Sequence, residues 1–239
     1  MDILETAQKM CAKWYKTCKD PIMWRIIDMG NDYYMDFRNC WPLYWYSLCK
    51  SAIGRCCGNL VDINIENFGT NSLLCCLAER SSGLKRLRLV GCHEITDEGF
   101  RAVALRFPLL EDLDITLDED ILHETLALVG RTCPLLKSLK LNKLFGDYQN
   151  IPEHNDCALA IAGTMHGLHH LMLFRNQMSN EGLCAILDGC PHLESLDLRR
   201  CLNLTLEGDV GRRCVERIQK LRLPLDSIED IDPSYNVDN

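Results

Sequence analysis

The 239-residue sequence holds no run near the roughly 18 apolar residues that a membrane helix needs. Its first residues, broken by Asp2, Glu5, Lys9 and Lys13, contain no secretory apolar block. These absences lead to the expectation of a cytoplasmic or nuclear chain with no membrane partner. There is no C-x-x-C among its 15 cysteines. Reduced, buried thiols acting as small hydrophobes are therefore expected. Positive charge is short, with 26 Lys and Arg against 34 Asp and Glu and a net charge of −8. That sign is wrong for holding nucleic acid by counterion release. The sequence has no G-x-x-x-x-G-K-[ST], G-x-S-x-G or H-E-x-x-H, so neither an enzyme nor a cofactor is expected. His166, His169 and His170 do not make a convincing zinc site, because His169 and His170 sit beside strand leucines and should point to opposite faces.

Tryptophan disappears after Trp45, and ten of the seventeen aromatic residues fall by Tyr46. Beyond that point leucine takes over in the pattern L-x-x-L-x-L, with Ile allowed. The triplets are Leu60, Ile63, Ile65; Leu84, Leu87, Leu89; Leu110, Leu113, Ile115; Leu136, Leu139, Leu141; Leu168, Leu171, Leu173; Leu193, Leu196, Leu198; and Ile218, Leu221, Leu223. Their first members are spaced by 24, 26, 26, 32, 25 and 25 residues. Seven such triplets nearly in step identify leucine-rich repeats. The alternating portion predicts a short strand with one buried face. A helix follows each strand. In the second repeat Phe100, Val103, Ala104 and Phe107 form an apolar stripe behind Thr96 or Asp97 as N-cap. The fifth repeat copies it with Ser179 ahead of Leu183, Ile186, Leu187 and Cys190.

The fold expected is an α/β leucine-rich-repeat solenoid, a short right-handed β-α arc of about seven repeats, with a helical N-terminal part. At position nine of the period, Cys92, Asn176 and Cys201 should bond the turning backbone between coils. The long fourth repeat places a loop at Lys143 to Asp156, rich in Gly, Pro and Asn. After Pro224 come five acidic residues and no Lys or Arg, which predicts a frayed acidic tail over 225–239.

The run Ile3 to Arg25 resembles the second half of an F-box, with Cys11, Trp14, Asp20, Pro21 and Trp24 filling a Cys, a Trp three residues on and a D-P-x-x-W ending. Joined to leucine-rich repeats with segments such as Asp188–Cys201, the chain is similar to plant F-box and leucine-rich-repeat proteins over nearly its whole length. The resemblance implies the substrate-recognition subunit of a Skp, cullin and F-box ubiquitin ligase, with the chemistry in other subunits. It assigns docking on the Skp adaptor to Ala7, Met10, Cys11, Trp14, Pro21 and Trp24. The family's opening Leu-Pro pair is not found ahead of these residues, so a partial F-box that assembles weakly is expected. In the alternative reading the chain is an interaction scaffold without ligase assembly, and Trp14 and Trp24 cap the first coil. The expected organisation is a partial F-box over 1–30, a linker helix and cap over 31–56, repeats over 57–224 and the tail.

Residues between the inward leucines should face the concave side and meet a target protein. The candidates are Arg86, Arg88, Asp112, Asp114, Lys140, His170, Met172, Phe174, Asp197 and Arg199, with an exposed Met172 and Phe174 pair beside Arg199 as the anchor.

Overall fold

The computed structural model describes residues 20–30, 41–117, 121–143 and 154–231. A short 3-10 helix, Pro21–Trp24, leads into β1 (Ile26–Met29), and α1 (Trp41–Arg55) follows. Strands and helices then alternate through β2 (Asp62–Glu66), α2 (Asn71–Arg80), β3 (Arg86–Val90), α3 (Asp97–Ala104), β4 (Asp112–Leu117) and α4 (His123–Thr132). Next come β5 (Ser138–Lys143), α5 (Asp156–Thr164), β6 (His170–Met172), α6 (Asn180–Gly189), β7 (Ser195–Asp197), α7 (Asp209–Arg217) and β8 (Lys220–Arg222). All eight strands form one parallel sheet in chain order.

This register is the leucine pattern made physical. Ile27, Ile63, Leu87, Leu113, Leu139, Leu171, Leu196 and Leu221 form one row across the sheet. Helix faces such as Leu73, Leu74 and Leu77 of α2, or Leu183, Ile186 and Leu187 of α6, close over the rows to make one continuous core. No coil buries its apolar face without its neighbours.

The sheet has one strand more than the seven triplets provide. β1 lies inside the stretch 1–30 that the F-box resemblance covers, because Trp24, Ile27 and Met29 repeat the triplet spacing without a single leucine. Ile27 is buried, and Trp24 and Met29 pack against the same core. At this end α1 covers the solenoid, much as a linker helix should. Cys49, Ala52, Ile53 and Cys56 are buried, and Trp45 stacks on Phe68 at 6.4 Å.

Coils are also tied at their helix starts. Asn71 accepts from the Thr96 backbone N–H at 3.1 Å and donates to its hydroxyl at 3.0 Å, while Thr96 caps α3. Asn155 grips Ser179, the cap of α6, in the same way at 3.0 and 2.9 Å, and Asn180 grips Thr205. This ladder explains the repeated Glu-Gly pairs. A Cβ on Gly99 would sit 1.9 Å from Asn71 Oδ1, and one on Gly182 would sit 2.5 Å from Asn155 Oδ1.

The thiols at position nine bond as expected. Cys201 donates to the Leu173 carbonyl at 2.9 Å, and Cys92 faces the carbonyls of Ile65 and Val90 at 3.5 and 3.4 Å. Burial pushes Cys49, Cys92 and Cys201 up to about 12 and Cys190 to about 11. At pH 8 only about one in ten thousand thiols with a pKa near 12 is ionised, and the thiolate is the nucleophile. Brief iodoacetamide treatment at pH 8 should therefore label the exposed Cys57 and Cys75 and spare Cys92 and Cys201 until the protein is denatured. Mass spectrometry showing Cys92 modified as fast as Cys75 in the folded protein would contradict this placement.

Of the expected loop at 143–156, residues 144–153 lie outside the described residues. No helix among the described residues is long and apolar enough to cross a membrane.

Candidate protein-recognition face

Strand alternation that sends leucines inward sends the residues between them to the other side of the sheet. One row there reads Asp28, Asn64, Arg88, Asp114, Lys140, Met172, Asp197, Arg222, and beside it runs Ile26, Asp62, Arg86, Asp112, Ser138, His170, Ser195, Lys220. All ten candidate target-binding residues thus lie on one side of the sheet, and eight of them fall in these two rows. The other two lie two residues past a strand end: Phe174 follows β6, with its backbone N–H bonded to Asn142, and Arg199 follows β7.

The rows form a ladder of opposite charges. Arg86 Nε pairs with Asp62 at 2.8 Å, and Arg88 pairs with Glu66 at 2.6 Å and with Asp114 at 3.3 Å. Lys140 reaches the same Asp114 at 3.4 Å. Asp114 is buried, and Thr116 donates to it at 3.0 Å. Asn142 donates to the Thr116 hydroxyl at 3.0 Å and accepts from the Phe174 N–H at 3.1 Å. A polar chain therefore runs from β3 to the end of β6. Beside it, burial raises the Asp112 carboxyl above its ordinary range.

The expected anchor is where structure and sequence part. Phe174 is 0% exposed and Arg199 5%, so neither presents an open side chain; Met172 is half-buried. Phe174 forms a second, smaller apolar cluster with Val90 and Ile231, against which Met172 and Ile228 pack. Asp197 holds Arg199 through Nε and Nη2, at 3.0 and 2.6 Å. Nη1 of Arg199 donates to the Ser227 carbonyl at 2.9 Å and to the Asp230 carboxylate. Arg222 joins Asp230 at 2.7 Å. That hydrogen bond from Arg199 holds the Asp230 carboxyl below the usual carboxylate range. A frayed tail is thus corrected for residues 225–231, since Asp230 meets cations from two earlier coils and Asp226 accepts from the Leu223 backbone N–H.

Among the adaptor-docking candidates, Ala7, Met10, Cys11 and Trp14 lie outside the described residues. Pro21 opens the 3-10 helix, which Asp20 caps by accepting from the Ile22 N–H at 3.0 Å. Trp24 packs on the solenoid core with the Arg55 guanidinium 5.2 Å from its ring centre. His169 is half-buried and His170 exposed, and no cluster of three or more metal-ligating side chains occurs among the described residues.

No family model matches the chain. Among curated proteins of Arabidopsis thaliana, Putative F-box/LRR-repeat protein 23 is 46% identical over 95% of this chain and 50% of its own length. F-box protein SKIP19 is 46% identical over 97% of this chain and 74% of its own length, and Putative F-box/LRR-repeat protein 22 is 44% identical over 96% and 73%. The chain spans about half of the first relative and about three quarters of the other two. A structure titled Rad7 and Elc1 complex in yeast aligns with 81% of this chain and 43% of its own, at 17% identity and a TM-score of 0.39, too distant to bear on the fold. With identity at this level running through both the N-terminal region and the repeat sheet, the chain belongs to the plant F-box/leucine-rich-repeat family.

Proposed function

We propose that this protein is the non-catalytic target-recognition subunit of a Skp, cullin and F-box ubiquitin ligase. The observation that carries the reading is its 46% identity with an F-box protein across 97% of the chain. In this role the repeat face bearing the rows of Arg86, Arg88, Asp112, Asp114, Lys140, His170, Met172 and Asp197, with Phe174 and Arg199 beneath the folded-back tail at its end, meets a target protein. The N-terminal segment with Ala7, Met10, Cys11, Trp14, Pro21 and Trp24 docks on the Skp adaptor, and ubiquitin transfer belongs to other subunits.

A specific observation favours a second reading, that of an interaction scaffold. Trp24 packs into the first coil, so part of the motif's apolar surface is already used within the solenoid. Purification of the tagged chain from plant extract separates the two. The ligase role predicts co-purifying Skp adaptor and cullin that fall at least about tenfold when Trp14 and Met10 are both changed to alanine, since apolar anchors dominate such interfaces. A target recovered without adaptor or cullin would establish the scaffold instead.

A further inference from the structure

Residues after β8 turn back rather than leave the sheet. Asp226 accepts from the Leu223 N–H at 2.9 Å, its own N–H returns to the Leu223 carbonyl at 3.1 Å, and the Pro224 carbonyl accepts from the Arg200 N–H at 2.9 Å. This turn aims residues 225–231 over the recognition face. There Ile228 and Ile231 rest on Met172, Phe174 and Val90, and Asp230 lies between Arg199 and Arg222.

The seat is more built than its occupant. Phe174 is held by its N–H bond to Asn142, and Arg199 is clamped by Asp197, so both the apolar floor and the cationic fork stand ready without the strap. A guanidinium fixed in this way is suited to carboxylate and carbonyl acceptors, because its fork loses little freedom on binding. The strap, by contrast, leaves Ser227, Glu229 and Asp230 exposed, and ion pairs with exposed partners contribute little to stability. Its apolar contact is the small separate cluster rather than the main core. It is therefore the part of the face most easily vacated.

We propose that residues 225–231 are an internal occupant of the recognition face, displaced by a partner segment of the same chemistry. That segment carries two branched apolar side chains three residues apart with carboxylates between them, as in Ile228-Glu229-Asp230-Ile231. The proposal deepens the receptor reading and rests on it only for the fate of the bound target. A strap closed nine-tenths of the time lowers the apparent affinity of such a segment about tenfold.

The test is a titration of a fluorescent peptide with the sequence of residues 224–231 against the full chain and against its Asp230→Ala/Ile231→Ala variant. The variant should bind the peptide at least about tenfold more tightly than the parent chain. A peptide with Glu229 and Asp230 replaced by Gln and Asn should bind about two- to fivefold more weakly, because the residue in place of Asp230 no longer completes the ion pairs with Arg199 and Arg222. Equal affinity for both chains, or no binding by a variant that melts like the parent, would overturn the proposal. If the double variant melts early, Asp230→Ala alone supplies the comparison, since that side chain is exposed and cannot remove core packing. No ligase component enters the titration, so a chain that fails to capture Skp adaptor can still pass it.

Discussion

Leu139→Ala should cost about 2 to 5 kcal/mol of stability, as for other leucines truncated in close-packed cores. Leu139 is 0% exposed, and its Cα neighbours across β4 and β6 are Leu113 and Leu171, themselves buried. Removing the side chain deletes contacts on both sides of the fourth coil at once, and neighbours fixed in sheet register can relax only partly into the space. Because a solenoid is held by nearest-neighbour interfaces, a weak central coil also uncouples the two ends. Two-residue spacing provides an internal control. Leu141, on the same strand, is only half-buried and borders a cavity with Ile121 and Cys157, so Leu141→Ala should cost clearly less. Urea denaturation of both variants checks the pair. A loss below about 0.5 kcal/mol for Leu139→Ala, the range of ordinary surface substitutions, would mean that this leucine does not face inward.

The seven triplets made most of this architecture readable in advance, because a strand's inward face is set by two-residue alternation and needs no distant information. The same locality explains the failures. β1 hid because its rungs are Trp24, Ile27 and Met29, whose shapes fill the core without matching a leucine template. The asparagine ladder was invisible for another reason. Asn71 and Thr96 lie 25 residues apart, and each looks like an ordinary helix-start residue until the coils stack. For the tail, composition pointed the wrong way. A run of acidic residues without Lys or Arg reads as solvated, yet the cations that hold Asp230 come from β8 and from Arg199, 31 residues earlier. Phe174 continues the row of Met172 on the side of the sheet away from the leucines. Its burial followed from the folded-back tail, so Phe174→Ala becomes a packing substitution that lowers stability as well as any binding.

Asn142→Leu is the other change with a large expected cost, about 2 to 4 kcal/mol, because it keeps the branching at Cγ but replaces the amide with two larger methyl groups and strands buried polar groups. Asn142 is 3% exposed and occupies the junction where the regular ladder ends. Backbone pairing of β5 with β6 stops at Lys140 and Met172, and the Phe174 N–H is taken up by the Asn142 side-chain oxygen instead. The same amide donates to Thr116, whose hydroxyl donates in turn to Asp114, the carboxylate shared by Arg88 and Lys140. Leucine removes both the acceptor and the donor. It leaves the Phe174 N–H unpaired beneath the strap and loosens the support of Asp114 on the neighbouring strand. Asn142→Asp separates the two functions, because a carboxylate still accepts from Phe174 but offers Thr116 no donor and adds a second negative charge beside Asp114. The expected order of urea midpoints is parent, then Asn142→Asp, then Asn142→Leu, all at neutral pH. If Asn142→Leu instead matched the parent, the polar chain from β3 to β6 would carry no weight in holding Phe174 where the tail meets it.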